Sequence, residues 1–131
     1  LSIPTLNETA NWKTYTNNDW SFLIKYPANY SISNNRGTNI GKSLETSYGY
    51  VDFRSLDNPP LADTKEININ SQKGYERPLG GNRDGGIEFE VLFKNPNKNG
   101  YLDILFTTNQ KGYENKVEEF RKILATFRFV P

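Results

Sequence analysis

The sequence predicts a single α+β domain in which an antiparallel β-sheet of about five to seven strands carries a C-terminal α-helix on one face. Three observations lead to this prediction. The length of 131 residues fits one domain. Several segments alternate apolar and polar residues with the period of two that is typical of half-buried strands. Near the C terminus the period of the apolar residues changes to that of a helix.

The first segment, residues 1–11, has neither period and contains Pro4. We therefore predict that it is a tether or linker, and that the domain occupies residues 12–131. The chain begins at Leu1 and contains no Met. We expect from this that it is a processed or truncated product of a longer precursor.

Two strands are predicted in the first quarter of the domain. Residues 12–16 form a short edge strand, and residues 20–26 place Trp20, Phe22, Ile24 and Tyr26 on one face. Pro27 ends the second strand because it has no N–H to donate to a sheet. A shorter extended piece follows at residues 30–33, and the polar stretch at residues 34–47 is predicted to be a loop.

Four further strands with the same period follow at residues 48–55, 66–70, 87–94 and 101–108. The residues predicted to face the core are Val51, Phe53, Ile67, Ile69, Ile87, Phe89, Val91, Phe93, Leu102, Ile104 and Phe106. The turn-rich residues 95–100 separate the last two strands, which predicts an antiparallel hairpin.

The C-terminal apolar residues recur at helical spacing. They are Tyr113, Val117, Phe120, Leu124 and Phe127. Thr108 or Asn109 is placed to cap the start of this predicted helix. The helix should lie across the apolar face of the sheet, because neither element can bury its apolar face alone.

The two ends of the chain also carry motifs of a known family. Residues 20–27 read WSFLIKYP and are followed by Tyr30, and residues 123–129 read ILATFRF. Both motifs resemble those of PsbP-like domains, which are relatives of the extrinsic oxygen-evolving-complex protein of photosystem II. The resemblance covers residues 12–30 and 101–129. It implies a PsbP-like fold and a binding or assembly module of the kind found in bacterial lipoproteins and cell-surface proteins, and it transfers no functional residue.

Composition excludes several classes of function. With no His and no Cys, the chain can form no Ser-His-Asp or Cys-His catalytic group, no ordinary zinc site and no disulfide. Sixteen basic and 15 acidic residues give a net charge of +1 without a basic stripe, which argues against nucleic acid as a partner. No run of 18 apolar residues is present, so we expect membrane attachment only through a tether outside this chain.

The predicted strands turn a second, polar face away from the core, and this face is our candidate interaction surface. Its members are Tyr50, Asp52, Arg54, Glu88, Glu90, Leu92, Tyr101, Asp103 and Leu105 on strands, with Tyr75 and Arg77 from a glycine-rich loop predicted at residues 71–86. Such a face is often only solvated. Leu92 and Leu105 do not suit a fully wet face, and together they indicate a small interaction patch.

The segment from Asn95 to Asp103 has the oxygen spacing of the first half of a calcium loop. Three amides replace the expected carboxylates, and Phe106 stands where a bidentate Glu is required. We therefore predict a hairpin turn rather than a metal site, and we expect no cofactor.

We predict a monomeric, non-catalytic binding or protein-interaction module of a secreted or membrane-tethered prokaryotic protein. The alternative is a glycan-binding domain that uses the tyrosines of the open sheet face. A carboxylate-based hydrolase, using pairs such as Glu88/Glu90 or Asp52/Asp103, is a third hypothesis because glycoside hydrolysis needs no His. Tyrosines in a line would favour the glycan, and a cleft with two carboxylates about 5–10 Å apart would favour the hydrolase.

Overall fold

The computed structural model describes residues 3–34, 40–82, 85–109, 111 and 114–131. Within these residues, ten strands form two antiparallel sheets. The larger sheet has the order β3 (Ser31–Asn34), β4 (Lys42–Thr46), β5 (Gly49–Leu56), β9 (Tyr101–Thr108), β8 (Ile87–Lys94), β7 (Gln72–Gly81) and β6 (Lys65–Ile69). The smaller sheet has the order β1 (Lys13–Asn17), β2 (Phe22–Tyr26) and β10 (Arg128–Phe129). The prediction of an α+β fold is confirmed, although the strands form two sheets rather than one.

A single helix, α1 (Val117–Leu124), follows a 3-10 turn at Glu114–Lys116. Together with the smaller sheet it covers one face of the larger sheet, and the core lies between these layers. Aromatic rings supply most of the bulk of this core. The Phe120 ring lies 6.2 Å from Tyr48 and 5.5 Å from Phe106, centroid to centroid. On the other side of the core, Phe22 contacts both Phe53 and Phe127.

The helix differs from the prediction at both ends. Neither Thr108 nor Asn109 caps it, because Lys116 occupies the N-cap position. The Thr108 hydroxyl instead accepts a hydrogen bond from Ile87 N. Phe127 is fully buried, but it follows the helix rather than belonging to it. Tyr113 lies outside the described residues.

No helix in the described part of the chain is long and apolar enough to cross a membrane.

Ion pairs attach the helix to its neighbours. Arg121 donates two hydrogen bonds, of 2.6 and 2.9 Å, to the carboxylate of Glu76 on β7. Lys122 pairs with Glu8 of the N-terminal segment. Glu8 and Thr5 also exchange the reciprocal hydrogen bonds of a capping box. The segment predicted as a tether therefore contacts the domain through Glu8.

Two strands lie where the sequence predicts loops. β4 lies in the polar stretch at residues 34–47, where Leu44 is the one large aliphatic side chain of the strand and is fully buried. β7 lies in the glycine-rich stretch, where Gly74 faces the Phe93 ring so closely that a Cβ atom would stand 2.7 Å from it. Glycine is therefore a strand residue here. The sequence prediction missed this strand because glycine usually indicates a turn or a loop.

Candidate functional site

All eleven residues of the candidate interaction surface lie on one face of the larger sheet, which we call the outer face. The strand registers show this directly. Arg54 pairs with Asp103, Asp103 with Leu92, and Leu92 with Tyr75. A second row of paired residues lies two residues further along the strands, and it consists of Asp52, Leu105, Glu90 and Arg77. Because β7 is a strand, Tyr75 and Arg77 join the sheet face instead of standing in a loop.

Four of these residues form what we call the carboxylate–arginine cluster: Arg54, Arg77, Glu90 and Asp103. Arg54 Nη2 lies 2.5 Å from Asp103 Oδ2 and 3.2 Å from Glu90 Oε2. Arg77 Nη1 lies 2.5 Å from Glu90 Oε1. The Asp103 side chain has no exposed surface, whereas the Arg54 side chain is 37% exposed. The carboxylates therefore lie beneath two arginine side chains that remain partly accessible.

The connection from β5 to β6 contributes to this burial. Residues 57–64 must pass the three strands that separate β5 from β6 in the sheet. On the way, the carbonyl of Pro60 accepts a hydrogen bond from Arg77, whose side chain belongs to the outer face. Leu92 on the same face is fully buried. The outer face is therefore not the bare sheet surface that strand alternation alone suggests.

The exposure of the outer face is uneven. Asp52, Glu90 and Asp103 are buried, and Asp52 accepts a 2.5 Å hydrogen bond from the Ser43 hydroxyl. Leu92 cannot contact a partner in this conformation because none of its surface is accessible. The residues of the candidate surface that keep accessible side chains are Tyr50, Arg54, Tyr75, Arg77, Glu88, Tyr101 and Leu105. Their role in binding remains a prediction.

The environment of Asp103 changes its acidity. Burial, followed by the neighbouring Glu90 carboxylate, raises the pKa of Asp103 from 3.8 to about 7, and the Arg54 guanidinium opposes this rise. Asp103 Oδ1 also has no hydrogen-bond partner within the described structure. Near neutral pH, the cluster therefore changes its charge by gain or loss of a proton at this carboxyl.

This shift predicts a pH dependence of stability. Between about pH 4 and pH 7 the folded state keeps the Asp103 proton while the unfolded state releases it, so the unfolded state binds fewer protons. The contribution of Asp103 to the free energy of unfolding is therefore present at low pH and is lost as the pH rises through 7. Urea titrations at pH 5 and pH 8 measure the difference. The difference in the free energy of unfolding between the two pH values should be smaller in Asp103→Asn. An unchanged difference would contradict the assignment of this pH dependence to Asp103.

The tyrosines of the outer face do not form a line across the sheet. Tyr50 pairs with Thr107, Tyr101 pairs with Leu56, and Tyr75 pairs with Leu92, which places the three rings at three different levels along the strands. Lys94 Nζ also lies 5.9 Å from the centroid of the Tyr101 ring. This arrangement does not provide the row of stacked rings that the glycan hypothesis needs.

The Glu90 and Asp103 carboxyls are adjacent, and one of them has the raised pKa that acid catalysis requires. However, a general acid must reach the substrate atom that it protonates. Asp103 is inaccessible, and both carboxylates bind Arg54. The pairs named from the sequence, Glu88/Glu90 and Asp52/Asp103, do not converge on a cleft either, since three of these four residues are buried.

The loop between β8 and β9 is the hairpin turn that the sequence predicts. Asn95 Oδ1 accepts a hydrogen bond from Asn97 N, and Asn95 Nδ2 donates to the carbonyl of Trp20. Gly100 has a φ of +104°, a conformation that favours glycine. The Asn95 amide therefore orders the turn and joins it to the start of β2. In the glycine-rich stretch, residues 83–84 lie outside the described residues.

Comparison with solved structures shows the same fold in other proteins. The solution structure of cyanobacterial PsbP (CyanoP) from Synechocystis sp. PCC 6803 superposes with a TM-score of 0.64 at 10% identity, over 98% of each chain. A crystal structure from Bacteroides thetaiotaomicron VPI-5482 superposes with a TM-score of 0.61 at 12% identity. That match covers 92% of this chain and 49% of the other, so this chain spans about half of that protein. No protein-family model and no curated protein sequence matches the chain. The chain has a PsbP-like fold.

Sequence reasoning missed two features of the site. Alternation placed the acidic residues on the outer face, but it could not show that the two arginines cover them. It also missed Pro60, whose carbonyl bonds Arg77. The one available signal was the pair Pro59-Pro60 between two strands, because consecutive prolines exclude a tight hairpin and favour an extended crossing.

Proposed function

We propose that this PsbP-like domain is a non-catalytic module that binds another protein through the outer face of its larger sheet. The observation that carries the proposal is the carboxylate–arginine cluster. Buried carboxylates hold Arg54 and Arg77 in place, while 37% and 21% of the two arginine side chains remain exposed. Arginine and tyrosine, with tryptophan, are enriched among the residues that dominate binding at protein interfaces. Fixing them before binding lowers the entropy lost on association.

The accessible tyrosines surround this cluster. Tyr75 stands beside Leu92 in the row of Arg54, and Tyr101 stands at the next level along β9. Tyr and Arg side chains combine apolar contact area with hydrogen-bond donors, which suits a protein surface of mixed polarity. The fold is compatible with this proposal as well, because the similar structures include cyanobacterial PsbP.

We further propose that the domain works outside the cytoplasm, as part of a secreted or membrane-tethered protein. The support is the PsbP-like fold together with the resemblance of the two terminal motifs. Fractionation of cells that express the protein from its native gene tests the location. Recovery in the envelope or medium supports the proposal, whereas recovery with cytoplasmic markers would overturn it.

Site-specific photo-crosslinking tests the binding surface. The photoreactive residue p-benzoylphenylalanine replaces Tyr75 or Tyr101 in the full chain, and the control replaces Thr14, an exposed residue of β1 on the smaller sheet. We expect irradiation of the native cells to yield a discrete protein adduct at positions 75 and 101 and none at position 14. Adducts at all three positions alike, or at position 14 alone, would contradict the proposal.

A further inference from the structure

A groove on the opposite side of the molecule has the properties of a second binding site. Two cavities, of about 530 and 240 Å³, adjoin because both are lined by Gln72 and Phe129. We call them together the Phe129 groove. Its apolar lining comes from Leu23 on β2, Ala125 after the helix and Phe129 on β10, together with Ile3 and Pro4 of the N-terminal segment. This lining offers an apolar contact surface of a size that suits a small organic molecule.

The charged residues that line the groove are all basic. Lys25 and Arg128 line the larger cavity, and Lys73 and Lys94 line the smaller one. None of the described residues that line either cavity is acidic. The whole chain carries 16 basic and 15 acidic residues, so this separation of charge is local to the groove.

The cations of the larger cavity are available to a ligand. The side chains of Lys25 and Arg128 make no hydrogen bond or ion pair with another described residue, unlike Arg54, Arg77 and Arg121 elsewhere in the fold. An unpaired cation beside apolar surface favours a ligand that brings both a negative charge and an apolar body.

The wall of the groove is held in a fixed position. Asn70 and Ser71 form the two-residue turn between β6 and β7, and both have positive φ, of 49° and 66°. From this turn Asn70 Nδ2 donates to the carbonyls of Ala125 and Phe127, at 3.1 and 2.9 Å. Gln72 Oε1 accepts a 2.5 Å hydrogen bond from Phe129 N. These bonds join the turn to β10, so the groove exists before a ligand binds.

We propose that the Phe129 groove binds a small organic anion with an apolar body, such as a carboxylate or sulfonate on an alkyl or aryl group. Lys25 and Arg128 bind the anionic group, and Leu23 and Phe129 contact the apolar body. This site is separate from the outer face, and the proposal does not depend on the function proposed above.

The test uses anilinonaphthalene sulfonate, an aromatic anion whose fluorescence rises when it binds apolar surface. We expect saturable binding to the folded protein, with competition by decanoate and none by decyltrimethylammonium. The double variant Lys25→Gln/Arg128→Gln should weaken binding at least tenfold. The matched control Lys13→Gln/Lys65→Gln removes two exposed charges outside the groove, and we expect its binding to stay within twofold of the original protein.

Two results of the fluorescence assay would overturn this proposal. One is equal binding by both double variants, and the other is displacement by the cationic amphiphile as effectively as by decanoate. Thermal melts of the variants establish that each is folded, since the probe also binds partly unfolded chains. On the unchanged protein, NMR shifts of the Leu23 and Phe129 signals during decanoate titration give an independent readout. Shifts confined to other residues would also overturn the proposal.

Discussion

Phe120→Ala should lower the free energy of unfolding by about 3–5 kcal/mol, the usual cost of truncating a fully buried Phe. The side chain is 1% exposed and lies between the Tyr48 and Phe106 rings. Its removal leaves a cavity between the helix and the larger sheet, because neighbouring aromatic rings cannot collapse into the space. The result measures how strongly the helix is held on the sheet.

Urea denaturation followed by circular dichroism measures this effect. Asn115→Ala is the matched control, since Asn115 is exposed and lies one turn before α1. We expect the control to stay within about 0.5 kcal/mol of the original protein, as surface substitutions usually do. If Phe120→Ala and Asn115→Ala behaved alike, the helix would not bury its apolar side as the structure shows.

Arg54→Ala is the second substitution with a large expected effect. It leaves Asp103 Oδ2 and one oxygen of Glu90 buried without their cation. Breaking a buried ion pair on one side costs about 3–5 kcal/mol, and we expect the lower end of this range because the Arg54 side chain is 37% exposed. Urea denaturation at pH 8, where Asp103 is ionised, gives the full effect.

Two comparisons identify the cause of this loss. At pH 5 the Asp103 carboxyl holds its proton, since its pKa is about 7, so Arg54→Ala should cost less than at pH 8. The double variant Arg54→Ala/Asp103→Asn also removes the Asp103 charge that Arg54→Ala leaves without a cation, whereas Glu90 keeps its pair with Arg77. It should recover part of the stability at pH 8. A loss that is equal at both pH values and is not recovered would show that Arg54 acts through packing alone.

The strands with the clearest alternation could be predicted from the sequence. β8 and β9 have the predicted bounds, 87–94 and 101–108. In both, every second residue is aliphatic or aromatic except Thr108 at the end of β9, and the turn at residues 95–100 contains three Asn, one Pro and one Gly. In these two strands the residues that alternate in the sequence are also the ones that pack in the core, so the sequence pattern is sufficient to predict the strand bounds.

The missed strands lack such a pattern for identifiable reasons. In β7, the inward position 74 is a glycine because the Phe93 ring fills the space that a side chain would need. The next inward position is Glu76, which forms the ion pair with Arg121. Neither residue is apolar, so the inner face of β7 has no alternating signal. The predicted helix was too long because here the pattern continues beyond the element. Phe127 keeps the helical spacing, but it packs against Phe93 after the helix has ended.

At the candidate site, strand alternation correctly predicted which residues lie on the outer face. It could not predict which of those residues are buried. Asp103 is covered because Arg54 reaches it from the neighbouring strand at 2.5 Å. That contact joins residues 49 positions apart, and it depends on strand order, which the sequence pattern does not contain. The groove was missed for the same reason, since Lys25 and Arg128 meet only when β10 pairs with β2.

The photo-crosslinking comparison of position 75 with position 14 decides whether the outer face binds a protein. Both positions are on strands, but only Tyr75 stands in the row of Arg54 and Asp103. We expect one discrete protein adduct at position 75 and none at position 14. A protein adduct at position 14 with none at position 75 would contradict the assignment of the outer face as the binding surface.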